Sequence, residues 1–165
     1  LANLALEWGK PVAVAVNKWD LVTDEQLEPF RERLDQQLAH LAFAPRVYTS
    51  ALTDFGLHEL LATAVRLHDT SHLRVGTAEL NSWLEVWTSR QSPPNFSGRP
   101  LKLFYASQVD VAPPTFVFSI NSEALLTRPY EHYLRNRIRE DLGFSEVPIR
   151  MVFKERSGGR KKVRV

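Results

Sequence analysis

The hydrophobic pattern of the chain changes rhythm near its middle. Residues 11–17 (PVAVAVN) are a continuous apolar run rich in Val, as expected of a parallel strand buried on both faces. Thr23 and Gln26 have the spacing of a capping box. Leu27, Phe30, Leu34, Leu38 and Leu41 then recur at helical spacing and predict a buried stripe. Pro29 is tolerated only in a first turn, which sets the start of that helix near Glu28. Residues 46–51 (RVYTSA) read as a second short strand, and Leu57, Leu60, Leu61, Ala64 and Val65 mark the helix that follows. Strand, helix, strand, helix with short connections is the pattern of a parallel α/β sheet. Two strands are too few for such a sheet, so its remainder is expected ahead of Leu1. A chain that opens at Leu1 inside a helical stretch, closed by Gly9, is accordingly expected to be a fragment.

The second half reads differently. A helix is predicted over about residues 77–90, with Leu80, Leu84 and Trp87 on one face and Trp83 beside them. A breaker stretch (QSPPNFSGRP, residues 91–100) precedes two strands over 101–109 and 115–121, joined by a turn that contains Pro113-Pro114. Thr127 can cap the next helix, with Pro129 in its first turn and Gly143 as its stop. Residues 148–154 (PIRMVFK) form a last strand in which Ile149, Met151 and Phe153 alternate. Helix, strand, strand, helix, strand makes a small α+β domain. Trp83, Trp87, Tyr130 and Tyr133 are expected in its core, and most of Phe104, Tyr105, Phe116 and Phe118 are expected under its helices. The organisation is thus α/β over 1–74, α+β over 75–156, and a basic tail over 157–165 (SGGRKKVRV).

Composition narrows the class. At 165 residues and 44% hydrophobic content the chain suits one ordinary or two small folded domains. No apolar run approaches the roughly 20 residues that cross a bilayer, so no membrane partner is expected. The sequence has no Cys, which rules out disulfides and thiolate metal sites. No basic residue precedes the first apolar stretch, as a secretory signal would require, and a cytoplasmic location is expected. Charge is unevenly placed: residues 1–75 carry 7 Lys/Arg against 10 Asp/Glu, and residues 76–165 carry 14 against 9. The basic half suggests a polyanionic partner. Arg128, Arg135 and Arg139 fall on one helical face, and Arg160, Lys161, Lys162 and Arg164 crowd the tail; both groups are candidate RNA-phosphate contacts. His68 and His72 are four residues apart without acidic or Cys partners, which does not make a metal site.

The sharpest chemical signal is Asn17-Lys18-Trp19-Asp20, directly after the first strand, where parallel sheets bind ligands. Guanine offers two adjacent donors, N1–H and the N2 amino group, and one carboxylate, Asp20, can accept both. Asn17 can donate to the N7/O6 edge, and the Lys18 stem can lie over the base. Adenine lacks those donors and would leave Asp20 unpaired, at a cost of about 1–3 kcal/mol. A second signal, Thr49-Ser50-Ala51, ends the next strand about thirty residues on.

With both motifs at consecutive strand ends, the first half resembles the C-terminal portion of a Ras-like P-loop GTPase domain. The second half resembles the KH-like domain that closes the Der (EngA) GTPases, through residues 99–121, 128–140 (RPYEHYLRNRIRE) and 147–156 (VPIRMVFKER). NKWD is also similar to the second G domain of that family. The resemblance implies that Ser50 braces the Asp20 carboxylate and that the Ala51 N–H meets guanine O6. It implies GTP/GDP as ligand, Mg²⁺ in an intact parent with tandem G domains, GTP hydrolysis, and action in assembly of the large (50S) ribosomal subunit. Ribosomal RNA and the parent's own G domains are the implied macromolecular partners. Two departures stand out. The sequence after the second motif is Thr53-Asp54-Phe55-Gly56, with one Gly where the family often has Gly-x-Gly. No G-x-x-x-x-G-K-[ST] phosphate loop and no Asp-x-x-Gly switch motif occurs in these residues, so this chain alone is expected to be catalytically inactive. A GXXG clamp is also missing, which distinguishes the chain from Era-like KH GTPases. The alternatives are a non-enzymatic RNA-binding module, or another KH-containing GTPase such as Era.

Overall fold

The computed structural model describes residues 2–156, which divide into two compact units. The first comprises residues 2–73, Val111–Pro114 and Gly143–Ile149; the second comprises the other described residues.

In the first unit, helix α1 (Ala2–Glu7) leads to strand β1 (Val14–Val16), helix α2 (Leu27–Gln37), strand β2 (Arg46–Tyr48) and helix α3 (Leu57–His72). β1 and β2 pair in parallel, Val14 with Arg46 and Val16 with Tyr48. Thr23 and Gln26 do act at a helix start: the Thr23 N–H donates to Gln26 Oε1 at 3.4 Å, closing a 3₁₀ turn (Asp24–Gln26) ahead of α2. Pro29 sits in the first turn of α2, where its missing N–H costs nothing. The core gathers Leu41, Ala44, Val47 and Leu67, joined by Phe144, Val147 and Ile149 from the Gly143–Ile149 segment. Arg66 of α3 is ion-paired with Glu146 in that segment.

One sequence expectation fails here. The 11–17 run is not buried on both faces: only Val14–Val16 is strand, and its middle residue, Ala15, is exposed. A two-stranded sheet covers β1 on one edge only, which leaves the burial incomplete. The helix marked by Leu57, Leu60, Leu61, Ala64 and Val65 is present as α3. Thr63, Leu67 and Ser71 are the buried positions, whereas Leu61 and Val65 are 67% and 61% exposed. Thr63 and Ser71 carry no apolar signal, so the buried face of this helix is not legible in its apolar positions.

The second unit runs α4 (Thr77–Arg90), a short hairpin β3 (Asn95–Phe96) and β4 (Arg99–Pro100), then β5 (Leu103–Asp110), β6 (Thr115–Ile120), α5 (Arg128–Asp141) and β7 (Arg150–Glu155). The sheet order is β5-β6-β7, antiparallel between β5 and β6 and parallel between β6 and β7. α4 buries Leu80, Leu84 and Trp87; α5 buries Tyr130, Leu134 and Ile138; both stripes have helical spacing. They join Ala106, Phe116, Phe118 and Ile120 of the sheet in one core. Thr127 caps α5 by accepting the Tyr130 N–H at 3.4 Å, and Gly143 follows the helix with φ of 80°. Polar groups of the core are paired: Trp87 Nε1 donates to Asp141 at 2.7 Å, and the Tyr133 hydroxyl donates to the Trp87 carbonyl at 2.8 Å. Burial pushes the hydroxyl pKa of both Tyr130 and Tyr133 upward, so both remain protonated donors.

The outer edge of β5 is closed by a side chain. Asn81 of α4 accepts the Ala106 N–H at 2.9 Å and donates to the Ala106 carbonyl at 2.8 Å. This amide acts as a one-residue strand and covers part of an edge that would otherwise be open to pairing. Asn81→Ala is therefore expected to destabilise the chain by about 1–3 kcal/mol, because Ala106 is buried and its groups lose both partners. A shift of the urea midpoint measures this; no shift would show that water replaces the amide without loss.

Candidate guanine-nucleotide site

The site is assembled at the C-terminal ends of β1 and β2. Beyond the last residue pair, the Thr49 N–H donates to the Val16 carbonyl at 2.9 Å and the Trp19 N–H donates to the Thr49 carbonyl at 3.0 Å. The parallel ladder thus continues past both strands into the Asn17–Asp20 and Thr49–Ala51 loops. A side chain then ties the two loops together: Asn17 Oδ1 accepts the Ala51 N–H at 3.2 Å. Lys18 adopts the left-handed conformation (φ 64°), which turns the chain sharply between Asn17 and the 3₁₀ turn Trp19–Leu21.

Trp19, the variable position of the motif, fixes that turn. Its ring lies 4.1 Å from the Tyr48 ring and 5.8 Å, edge-on, from Phe30, while the Arg31 guanidinium lies 5.7 Å from the Tyr48 ring. Asp20, next in sequence, is exposed and takes no hydrogen bond from the described residues, so its acceptor oxygens remain available. Ser50 is fully buried; its N–H donates to the Phe55 carbonyl at 2.9 Å and its hydroxyl accepts the Thr53 N–H at 3.3 Å. Its hydroxyl oxygen thus accepts within its own loop, which leaves the O–H as a donor. Gly56 begins α3 with φ of 72°, and a Cβ there would overlap the Tyr48 carbonyl oxygen. The single Gly kept in this loop is the one whose conformation and close approach require it.

The structure thus brings Asn17, Ser50 and Ala51 into one hydrogen-bonded loop pair, with Lys18 and Asp20 exposed beside it. Tyr48 was not singled out from sequence, and Trp19 and Gly56 entered only through the family motifs, without the packing and the left-handed turn they supply. The candidate RNA contacts fare differently. Arg128 is exposed, but Arg135 donates to Glu131 at 2.9 Å. Arg139 is half-buried, and burial, then the neighbouring Arg135, lowers its pKa. Arg160, Lys161, Lys162 and Arg164 lie outside the described residues. His68 and His72 stack with centroids 4.2 Å apart, and no group of three metal-ligating side chains occurs among the described residues.

Residues 74–154 match the family described as the KH-domain-like region of EngA bacterial GTPase enzymes, C-terminal. The chain is 56% identical over 156 residues to "GTPase Der" of Deinococcus deserti, covering 94% of this chain and 35% of that protein. It is 38% identical over 160 residues to "GTPase Der" of Alkaliphilus metalliredigens, covering 96% of this chain and 36% of that protein. The chain belongs to the Der (EngA) GTPase family. It spans about a third of the length of the curated relatives it matches. For this Der-family chain the aligned stretch takes in both strand-end loops as well as the KH-like part.

Because a Cβ at position 56 meets the backbone of β2, Gly56→Ala is expected to cost about 1–3 kcal/mol through left-handed strain alone. Thermal unfolding of the full chain tests it. A variant as stable as the original would show that the β2–α3 connection has room to shift.

Proposed function

We propose that residues 1–74 are the C-terminal portion of a Ras-like G domain and supply the base-recognition half of a GTP site. In this reading Asp20 accepts guanine N1–H and N2–H, Asn17 reads the N7/O6 edge, and the Lys18 stem covers the base. Ala51 offers its N–H to O6, with Ser50 holding the loop that presents it. The observation that carries the reading is the Ala51 N–H to Asn17 Oδ1 bond, which joins the two motif loops at the mouth of a parallel strand pair. Membership of the Der family supports it independently.

The intact protein would then be a GTPase acting in assembly of the large ribosomal subunit, with its KH-like domain meeting ribosomal RNA or the other G domains. Mg²⁺ is implied by the family, but the residues of this chain do not fit that role. The sequence has no phosphate loop or switch aspartate, and the described residues hold no three-ligand cluster. Phosphate and metal chemistry is therefore assigned to the remainder of the GTPase, and hydrolysis is not expected of residues 1–165 by themselves.

The test is Asp20→Asn in a complete Der protein carrying this segment, with its other nucleotide site inactivated. Loss of a charge-assisted bond pair should weaken GTP binding by roughly 10- to 150-fold. Xanthine nucleotides, which present a carbonyl where guanine presents an amino group, should bind the variant better than the original. GTP affinity unchanged by the substitution would remove Asp20 from the site. In parallel, purified residues 1–165 should show no GTP turnover, and robust turnover would refute the division of labour.

A further inference from the structure

The open face of the three-stranded sheet carries a feature that the periodicity hid. Register between β5 and β6 slips between Leu103 and Tyr105: Leu103 pairs with Ile120 and Tyr105 with Ser119, so Phe104 is the extra residue of a bulge. A bulge re-aims side chains and breaks strict alternation. Here it leaves two consecutive aromatic residues, Phe104 and Tyr105, 44% and 47% exposed, while the next residue, Ala106, is fully buried. Tyr105, Ser119 and Lys154 lie in one cross-sheet row, since Tyr105 pairs with Ser119 and Ser119 with Lys154. On β7 the inward positions are the half-buried Met151 and Phe153, and Lys154 and Arg156 are exposed. The Arg156 guanidinium lies 5.5 Å from the Phe104 ring.

Cations also collect at this end of the sheet. Exposed Arg99 and Lys102 line a hollow of about 430 Å³ together with Asn121 and Ser122, and no carboxylate lines it. Asn121 donates its N–H to the Lys102 carbonyl, and the Arg156 N–H donates to the Ile120 carbonyl, which places these residues at the same sheet end. The nearest acid in the strand, Glu155, accepts the Glu123 N–H at 2.7 Å. By contrast, Arg135 and Arg137 on α5 are ion-paired to Glu131 and to Glu140 and Asp141.

We propose that this end of the open sheet face binds single-stranded RNA, with bases stacked on Phe104 and Tyr105 and phosphates held by Lys102, Lys154 and Arg156. The choice of RNA rests on the ribosomal reading above; the stacking and charge geometry does not. Glu85 of α4 lines the hollow on one side of the two rings, and on the other Arg156 lies beside Phe104 and Lys154 in the row of Tyr105, without an ion pair among the described residues. Exposed rings with such cations suit unstacked bases and their backbone, whereas a duplex hides its base faces. The Phe104–Arg156 contact keeps a planar cation beside a planar ring, a surface on which a base can extend the stack.

The experiment is a titration of the full chain, tail retained, against a labelled single-stranded RNA and the same sequence as a duplex, at several salt concentrations. Phe104→Leu and Tyr105→Leu keep apolar bulk but remove the π face, and each should weaken single-strand binding at least roughly fivefold. The exchanged pair Phe104→Tyr with Tyr105→Phe should bind as the original does. Lys154→Ala should lower the salt slope by about 0.7, the value for one phosphate on a single strand. Arg33→Ala on α2 should leave binding unchanged. Circular dichroism verifies folding of each variant. Equal affinity of the two Leu variants and the original, a duplex bound as well as the single strand, or no RNA binding by the folded chain would each overturn the proposal. Guanine discrimination by Asp20 is read in a separate assay, so either reading can fail while the other stands.

Discussion

The first unit depends on one parallel strand pair whose ladder does not stop where the strands stop. A β1 of three residues and a β2 of three residues are too short to fix two loops by themselves. Precision comes from the bonds beyond them: Val16 to Thr49, Thr49 to Trp19, and Asn17 to Ala51. Each uses a group that would otherwise be an unpaired loop donor or acceptor, so the lacing removes a penalty as well as adding contacts. Trp19 adds a second restraint of a different kind, ring packing against Tyr48 on β2 and Phe30 on α2. The residue bearing the free carboxylate, Asp20, is thereby held by its neighbour and needs no hydrogen bond of its own. That is the arrangement required of a group whose acceptors must be kept for a ligand.

The second unit solves the complementary problem of an exposed sheet edge. Asn81 closes β5 with one amide, and Gln108 adds a contact from its own side chain to the Val75 N–H at 2.8 Å. With the edge held by α4, the strand can carry a bulge at Phe104 without losing its place in the sheet. An irregularity is thus confined between fixed points, and its consequence is a local change in which side chains face solvent.

Most of the fold was legible where one periodicity governed. α4 has the predicted limits, Thr127 and Pro129 start α5, and Met151 and Phe153 mark the inward side of the last strand, which begins at Arg150 and leaves Ile149 to the first unit. The sequence reading lost its footing where tertiary partners decide burial. Leu61 and Val65 look like core and are exposed, while Thr63 and Ser71 look like surface and are buried. Of the four aromatics expected under the helices only Phe116 and Phe118 are buried; Phe104 and Tyr105 are exposed because alternation presumes an unbroken register, and one inserted residue reverses it. The β3–β4 hairpin was missed since two-residue strands have no periodicity to detect. The NKWD and TSA motifs were legible as residue types, but their mutual bond belongs to the fold, not to either stretch.

That bond also has a thermodynamic consequence for base recognition. In the proposed reading, the Ala51 N–H that guanine O6 would use is held by Asn17 Oδ1, whereas the Asn17 amide N–H donors suited to the N7/O6 edge take no part in that bond. A base arriving at this site therefore exchanges one internal hydrogen bond for contacts of its own, and the net gain from its O6/N7 edge is smaller than two free groups would provide. Asp20 has no such internal partner, so its contribution is not offset in this way. Discrimination for guanine should then lie mainly with the carboxylate, which reads the donors adenine lacks, and less with the amide edge. In the same reading Asn17 Oδ1 keeps the two loops in register before the base arrives, while its amide N–H donors remain for the N7/O6 edge.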